Sequence, residues 1–248
     1  GDTSFINGTL STSVISHELG HNFGSQHASA YSCVEGSVRV VVSRSCTASE
    51  YGDPFDVMGS SSRHTSAVNK VRLGFVSAAN EVTASRSGRY PLVSSSRPGV
   101  GTQSLRIRQG TTNNYWYFEL RSPAGQFDNF LATDPAANGV SVRFSNGAAV
   151  PGSKTYLIDT RPATGTFADA PLPVGQTFVD ASTPGAPNVT VDSLDPSGAS
   201  LRIEFPGDPL PPPGTPSPSS TPPPPVVKPV VTRARVLVRR ISRTRGVV

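Results

Sequence analysis

The chain is sparing with the residues that most often announce a function. Among 248 residues there are two cysteines, one methionine, one tryptophan and four histidines. Cys33 and Cys46 stand with twelve residues between them and without any CxxC spacing, which argues against a thiolate metal site. One local disulfide is the preferred reading, with two buried free thiols as the alternative. No apolar run approaches the ~18 residues of a membrane-spanning helix. The opening "GDTSFING" lacks an initiator Met, a basic n-region and an apolar h-region. No signal peptide is read there, and the start is expected to be a cut made by processing or truncation. No glycine-rich phosphate loop occurs. Acidic residues are absent from residues 228–248, which hold Lys228, Arg233, Arg235, Arg239, Arg240, Arg243 and Arg245. The net charge of +5 therefore belongs to a tail, since the remainder carries 15 basic against 17 acidic residues. A nucleic-acid-binding body is excluded on that ground, and the tail has no aromatic residue for base stacking.

Proline and glycine, in contrast, are abundant at 24 and 23 residues, which favours strands, turns and linkers over long helices. Residues 1–77 hold every histidine, both cysteines and the only methionine. Residues 78–205 break into short alternating runs at 104–109, 115–121, 139–144, 154–160, 176–181, 188–194 and 200–205, separated by turn clusters such as "STPGAP". This pattern predicts an antiparallel β-sandwich. Residues 206–230 form a proline-rich linker too poor in apolar groups to pack, suited to an extended polyproline spacer. Its secreted look implies an oxidising compartment, the ground for pairing the cysteines. Residues 231–248 are either a solvated basic tail or the opening strand of a further β module.

Three of the four histidines fall in "HELGHNFGSQH", residues 17–27. The preceding run predicts a helix capped at Thr9 or Ser11, with Ile15, Leu19 and Phe23 as an apolar stripe and Gly24 as the stop. On a 3.6-residue period His17 and His21 lie about 40° apart opposite that stripe, and Glu18 points about 80° to one side of them. Gly24 can take the positive φ that turns the chain back, so that His27 becomes the third ligand. Three imidazoles with an open fourth position fit catalytic Zn2+, whereas structural zinc favours four ligands rich in Cys. Zinc would lower the pKa of its water towards ~7, with Glu18 as general base for attack on an amide carbonyl. A bare HExxH arises by chance in roughly one chain of this length in two hundred. Adding Gly24 and His27 lowers this to about one in a hundred thousand, which favours a genuine site over scattered core histidines.

"HELGHNFGSQH" fits HExxHxxGxxH, and the chain therefore resembles the metzincin metalloproteases. The resemblance implies a methionine-containing turn beneath the metal, and Met58 in "YGDPFDVMGSS" fits that role as an apolar floor. Within the clan the likeness is to the gametolysin family, through "ING", "HELGHNFG", "YGDPFDVMG" and "NKVRLGF" between residues 5 and 75. "YWYFELRSPAGQFDNFL" is similar to secreted bacterial relatives. The resemblance implies a secreted zinc endopeptidase acting on extracellular or cell-wall proteins, extracellular or wall-associated and monomeric, with protein or peptide as substrate. It also implies an upper subdomain before the zinc helix, of which only the segment Gly1 to Gly8 is expected here. A Tyr two residues after the Met, a further ligand in some metzincins, is replaced by Ser60.

Other candidates carry less. His64 is read as a surface or packing residue. Asp53 and Asp56, and likewise Asp128 with Asn129, are read as turn or capping residues rather than a calcium cage. Of Tyr115, Trp116, Tyr117 and Phe118, one alternate pair is expected in the core, and the other offers cross-strand packing or a platform for wall polysaccharide. The expected fold class is α+β: a metzincin lower catalytic subdomain, then an antiparallel β-sandwich and the linker. A non-catalytic extracellular binding or adhesion protein built on a remnant metzincin fold is the alternative.

Overall fold

A computed structural model describes residue 6, residues 10–147 and residues 152–212. The expected segment Gly1 to Gly8 (Ile6 apart), most of the linker, and the basic tail lie outside the described residues. The described part is mixed α+β and mostly sheet, with two α-helices, α1 (Thr12–Asn22) and α2 (Ala67–Leu73). All seven alternating runs are strands: β6 (Ser104–Arg108), β7 (Tyr115–Leu120), β8 (Gly139–Ser145), β9 (Thr155–Ile158), β11 (Thr177–Val179), β12 (Asn188–Asp195) and β13 (Gly198–Glu204). Six further strands had weaker signals: β1 (Ala28–Glu35), β2 (Val38–Val40), β3 (Cys46–Ser49), β4 (Glu81–Ala84), β5 (Gly88–Leu92) and β10 (Leu172–Pro173). β1 reads "ASAYSCVE", and its small residues mask the period of two.

Nine strands form one sheet in the order β2-β1-β9-β8-β7-β6-β4, with β3 on β1 and β10 on β8; β11-β12-β13-β5 form a second. The larger sheet is not wholly antiparallel, because β1 runs parallel to β9 and β4 parallel to β6. The β1–β9 pairing also carries hydrogen bonds across the boundary expected at residue 77. Residues 28–35 thus belong to the same sheet as residues 104–158.

Alternation along β7 sorts its side chains to two different surroundings. Trp116 and Phe118 join Leu105, Ile107, Val140 and Val142 in an apolar core shared with Phe178, Val189, Leu201 and Ile203 of the second sheet. Burying each such side chain contributes about 1.5–3 kcal/mol, which makes this shared layer the main cohesion between the sheets. Tyr117 points to the opposite face, 1% exposed, packed with Val68 and Val71 of α2 and with Val76. Tyr115 is partly buried beside it, with the Arg106 guanidinium 4.8 Å above its ring. The second aromatic pair is therefore cross-strand and helix packing and offers no open platform.

The face that carries Tyr117 also carries charge. Glu119, Arg121 and Arg143 are at most 2% exposed there. Asp53 and Asp56, from the loop that leads to Met58, are fully buried against it. Burial would raise the Glu119 carboxyl, but Arg143, Arg121 and Lys70 outweigh it and hold the group below its ordinary value. Such a network costs desolvation and is stable only while every member keeps its partner.

Candidate metal centre

Ser11 caps α1, its Oγ accepting from the Val14 N–H at 3.2 Å. At the other end Gly24 has φ +89°, with Gly24 N–H donating to His21 O and Ser25 N–H to Gly20 O. These two bonds are a Schellman closure, available because glycine has no Cβ to oppose the left-handed conformation. The chain then reverses into β1, and His27 faces the helix it has just left. Ring centroids lie 4.8 Å apart for His17–His21, 4.7 Å for His21–His27 and 5.3 Å for His17–His27. One nitrogen from each of the three rings lies within 4.8 Å of the others.

The remaining ring nitrogens define what this cluster can do. His17 Nδ1 is 2.8 Å from Val57 O, His21 Nδ1 is 2.8 Å from Ser25 O, and His27 Nδ1 is 2.6 Å from Glu50 Oε1. A carbonyl or carboxylate oxygen only accepts, so each Nδ1 donates, and in the neutral imidazole that leaves a lone pair on Nε2. Two of those lone pairs face one another, His17 Nε2 and His21 Nε2 being 3.1 Å apart. Neutral nitrogens so placed repel unless a cation lies between them. Two Zn–N bonds of ~2.0–2.1 Å at a tetrahedral angle would hold their nitrogens about 3.3–3.4 Å apart, so the donor set fits zinc. Glu18 is half-buried on the same turn.

Met58, 1% exposed, lies beneath α1. A Cβ on Gly20 would stand 2.3 Å from Met58 Sδ, so helix and turn approach closely here and a larger residue would have to displace the end of the Met58 side chain. The turn itself is tied down at its polar atoms. Asp53 Oδ1 accepts from Phe55 N–H, Asp56 Oδ1 from Met58 N–H, and Asp56 Oδ2 from Ser66 N–H. Asp53 and Asp56 thus act as turn residues, as their sequence context suggests. Asp128 pairs with Arg121 and accepts from the His64 backbone N–H at 3.1 Å. The His64 ring lies 3.4 Å from the same carboxylate, away from the three clustered histidines. Burial opposes ionisation of Asp128, but the His64 hydrogen bond and the Arg121 guanidinium hold its carboxyl well below the usual range.

The two cysteines form a disulfide, Cys33–Cys46, between residues directly opposed on β1 and β3. β3 delivers Glu50 and Tyr51 to His27. Tyr51 has φ +60°, a conformation that costs a non-glycine residue energy, and its ring centroid lies 3.9 Å from that of His27 and 5.8 Å from that of His17. Gly20, Ser25, Glu50 and Tyr51 were not singled out in the sequence. Tyr51 opens "YGDPFDVMG" and Glu50 directly precedes it, but no periodicity reveals that a strand pairing returns them to His27.

The apolar stripe behaves differently from expectation. Ile15 and Phe23 are only half-buried and Leu19 is 36% exposed; Gly20 is the buried residue of α1. Leu19 and Phe23 instead line a cavity of about 490 Å³ with Met58, Leu73 and Phe127, across the helix from the histidines. No described residue fills that space.

No helix among the described residues is long and apolar enough to cross a membrane, and the disulfide fits an oxidising compartment. Comparison of the chain with protein-family models, with curated proteins and with solved structures returns no match.

Proposed function

We propose that the chain carries the metal-binding segment of a secreted zinc endopeptidase of the metzincin type, similar to the gametolysin family, joined to a β-sandwich. In this reading His17, His21 and His27 hold the metal, Met58 floors it, and extracellular or cell-wall protein is the substrate. The observation that carries the reading is the set of three Nδ1 hydrogen bonds, which point three Nε2 lone pairs at one another. Tautomer-fixing bonds of this kind accompany most histidine metal ligands. Surface histidines gathered by chance would not all have their second nitrogen engaged.

Zinc, when bound, supplies Lewis acidity that makes water acidic near neutral pH and steadies charge on a carbonyl oxygen. The chain's own work is to hold and move the proton. Glu18, one residue from His17 and on the same turn of α1, accepts the proton of the attacking water on its carboxylate and returns it to the departing amine. His17, His21 and His27 would hold the metal through Nε2 while their Nδ1 atoms stay bonded to Val57 O, Ser25 O and Glu50, which fixes how the rings are turned.

The test combines metal analysis with a cleavage assay on a protein substrate. Folded protein is expected to bind one zinc per chain, and chelator-sensitive cleavage is expected to vanish in Glu18→Ala while zinc stays bound. Proteolysis unchanged in that variant would remove the assigned mechanism. Zinc bound at full stoichiometry without cleavage by the complete secreted protein would favour the non-catalytic binding reading.

A further inference from the structure

The inference that follows rests on the metal reading above and concerns what holds the ligands in place. We propose that Arg143 on β8, acting through Asp53, is a positioning residue for the metal centre, so that the sheet beyond residue 78 is a working part of the site.

The chain of contacts is continuous. Arg143 Nε donates to Asp53 Oδ2 at 2.9 Å, and its Nη1 donates to Glu119 Oε2 at 3.0 Å. Arg121, beside it on the same face, donates from Nη1 to Glu119 Oε1 at 3.0 Å and to Phe55 O at 3.3 Å. Two arginines bridged by one carboxylate thus grip residues 53 and 55 of the turn. From there the turn has little freedom: Ser60 N–H donates to Asp53 O, and a Cβ on Gly59 would lie 2.2 Å from that same oxygen. Its far side is bound to the residue after His27, with Ala28 N–H donating to Met58 O and Asp53 N–H to Ala28 O. Between these ties Val57 O, on the same turn, accepts from His17 Nδ1 of α1. Where Val57 O sits decides both the tautomer of His17 and the direction of its Nε2 lone pair.

The chemistry gives Arg143 a role that an apolar residue could not take. Asp53 is fully buried, and burial pushes its carboxyl upward while the Arg143 guanidinium opposes that push. Without the guanidinium the carboxylate would have to protonate or leave its place, and Val57 O would move with it. A second arginine acts in parallel on His21: Arg72 of α2 donates to Ser25 Oγ at 2.8 Å, and Ser25 O accepts from His21 Nδ1. Buried cations from outside the metal-binding segment therefore stand behind two of the three ligands.

The experiment uses the full 248-residue chain with Arg143→Lys and Asp53→Asn, which keep volume and one hydrogen bond but lose the paired fork. Ile203→Val, in the core between the sheets, serves as a control that loosens the fold without touching the turn. Zinc affinity is measured by competition with a chromophoric chelator. The exchangeable imidazole N–H resonances of the cobalt-loaded protein are recorded alongside. The proposal expects zinc dissociation constants raised about 10-fold or more in both site variants, none in the control, and the His17 N–H signal selectively broadened by exchange. Affinity within twofold of the parent and three intact signals in folded variants would overturn it. Wild-type protein that binds no zinc would overturn the metal reading itself, a result visible before any variant is compared.

Discussion

Replacing Cys33 and Cys46 by alanine separates stability from metal affinity. The disulfide closes a loop of sequence separation 13, and for a loop of that size the loss of unfolded-state entropy stabilises the fold by about 3 kcal/mol. On the native side the strands keep their own register, with Ala30, Tyr31 and Ser32 opposite Ser49, Ala48 and Thr47, and Val34 N–H donating to Ser45 O. β3 should therefore stay in place without the covalent link, and Glu50 should still reach His27. Urea unfolding can be followed through Trp116, the only tryptophan, buried between the sheets. With an m-value of roughly 2–3 kcal/mol/M the midpoint should fall by about 1–1.5 M. Zinc affinity of the folded double variant should stay within about threefold of the parent, under 1 kcal/mol. An unchanged midpoint would refute the entropic argument. A tenfold loss of affinity in still-folded protein would show that the disulfide holds Glu50 in the native state.

Glu50→Ala should do the reverse, raising the zinc dissociation constant about 10-fold with little change in urea midpoint, since the carboxylate is largely exposed and its role is to orient His27. Gly20→Ala should destabilise by about 1–3 kcal/mol despite the better helix propensity of alanine, because the new methyl meets Met58 Sδ. Combining it with Met58→Ala should give a coupling energy above about 0.5 kcal/mol in denaturation midpoints; strict additivity would mean that the two do not touch. Lys70, 6% exposed, is pulled from 10.5 down to about 8, chiefly by burial, with Arg121 adding to the effect and Glu119, Asp128 and Asp56 opposing it. The unfolded chain then holds the extra proton between those values, so this group's contribution to stability is absent below pH 8 and grows towards pH 10.5. Measured without metal, wild type should gain about 2 kcal/mol relative to Lys70→Met between pH 8 and pH 10; a constant difference would count against the buried ammonium.

Much of the candidate centre was legible because it is local. His17, His21 and Glu18 share one helix, Gly24 needed only its own φ, and His27 follows within a single reversal, so spacing alone placed them. The seven strands of the C-terminal half were legible for the same reason, each showing the period of two within its own run. The Cys33–Cys46 pairing was readable because only two cysteines exist, although their meeting on neighbouring strands was not.

What lay beyond the sequence depends on residues far apart in the chain. Leu19 and Phe23 carry the periodicity of a core-facing stripe, yet they line a cavity, because periodicity shows that a face is apolar and not what covers it. Glu119, Arg121 and Arg143 sit at the alternate positions that a sheet usually gives to solvent, yet they are buried under the Met58 turn and α2. The chain by itself determined that three imidazoles and a carboxylate could converge, since helical geometry and one glycine suffice for that. Only the tertiary structure decided how the rings are oriented. Each Nδ1 is committed by an oxygen whose position depends on strand pairing or a buried arginine from another part of the chain, and such contacts leave no period in the sequence.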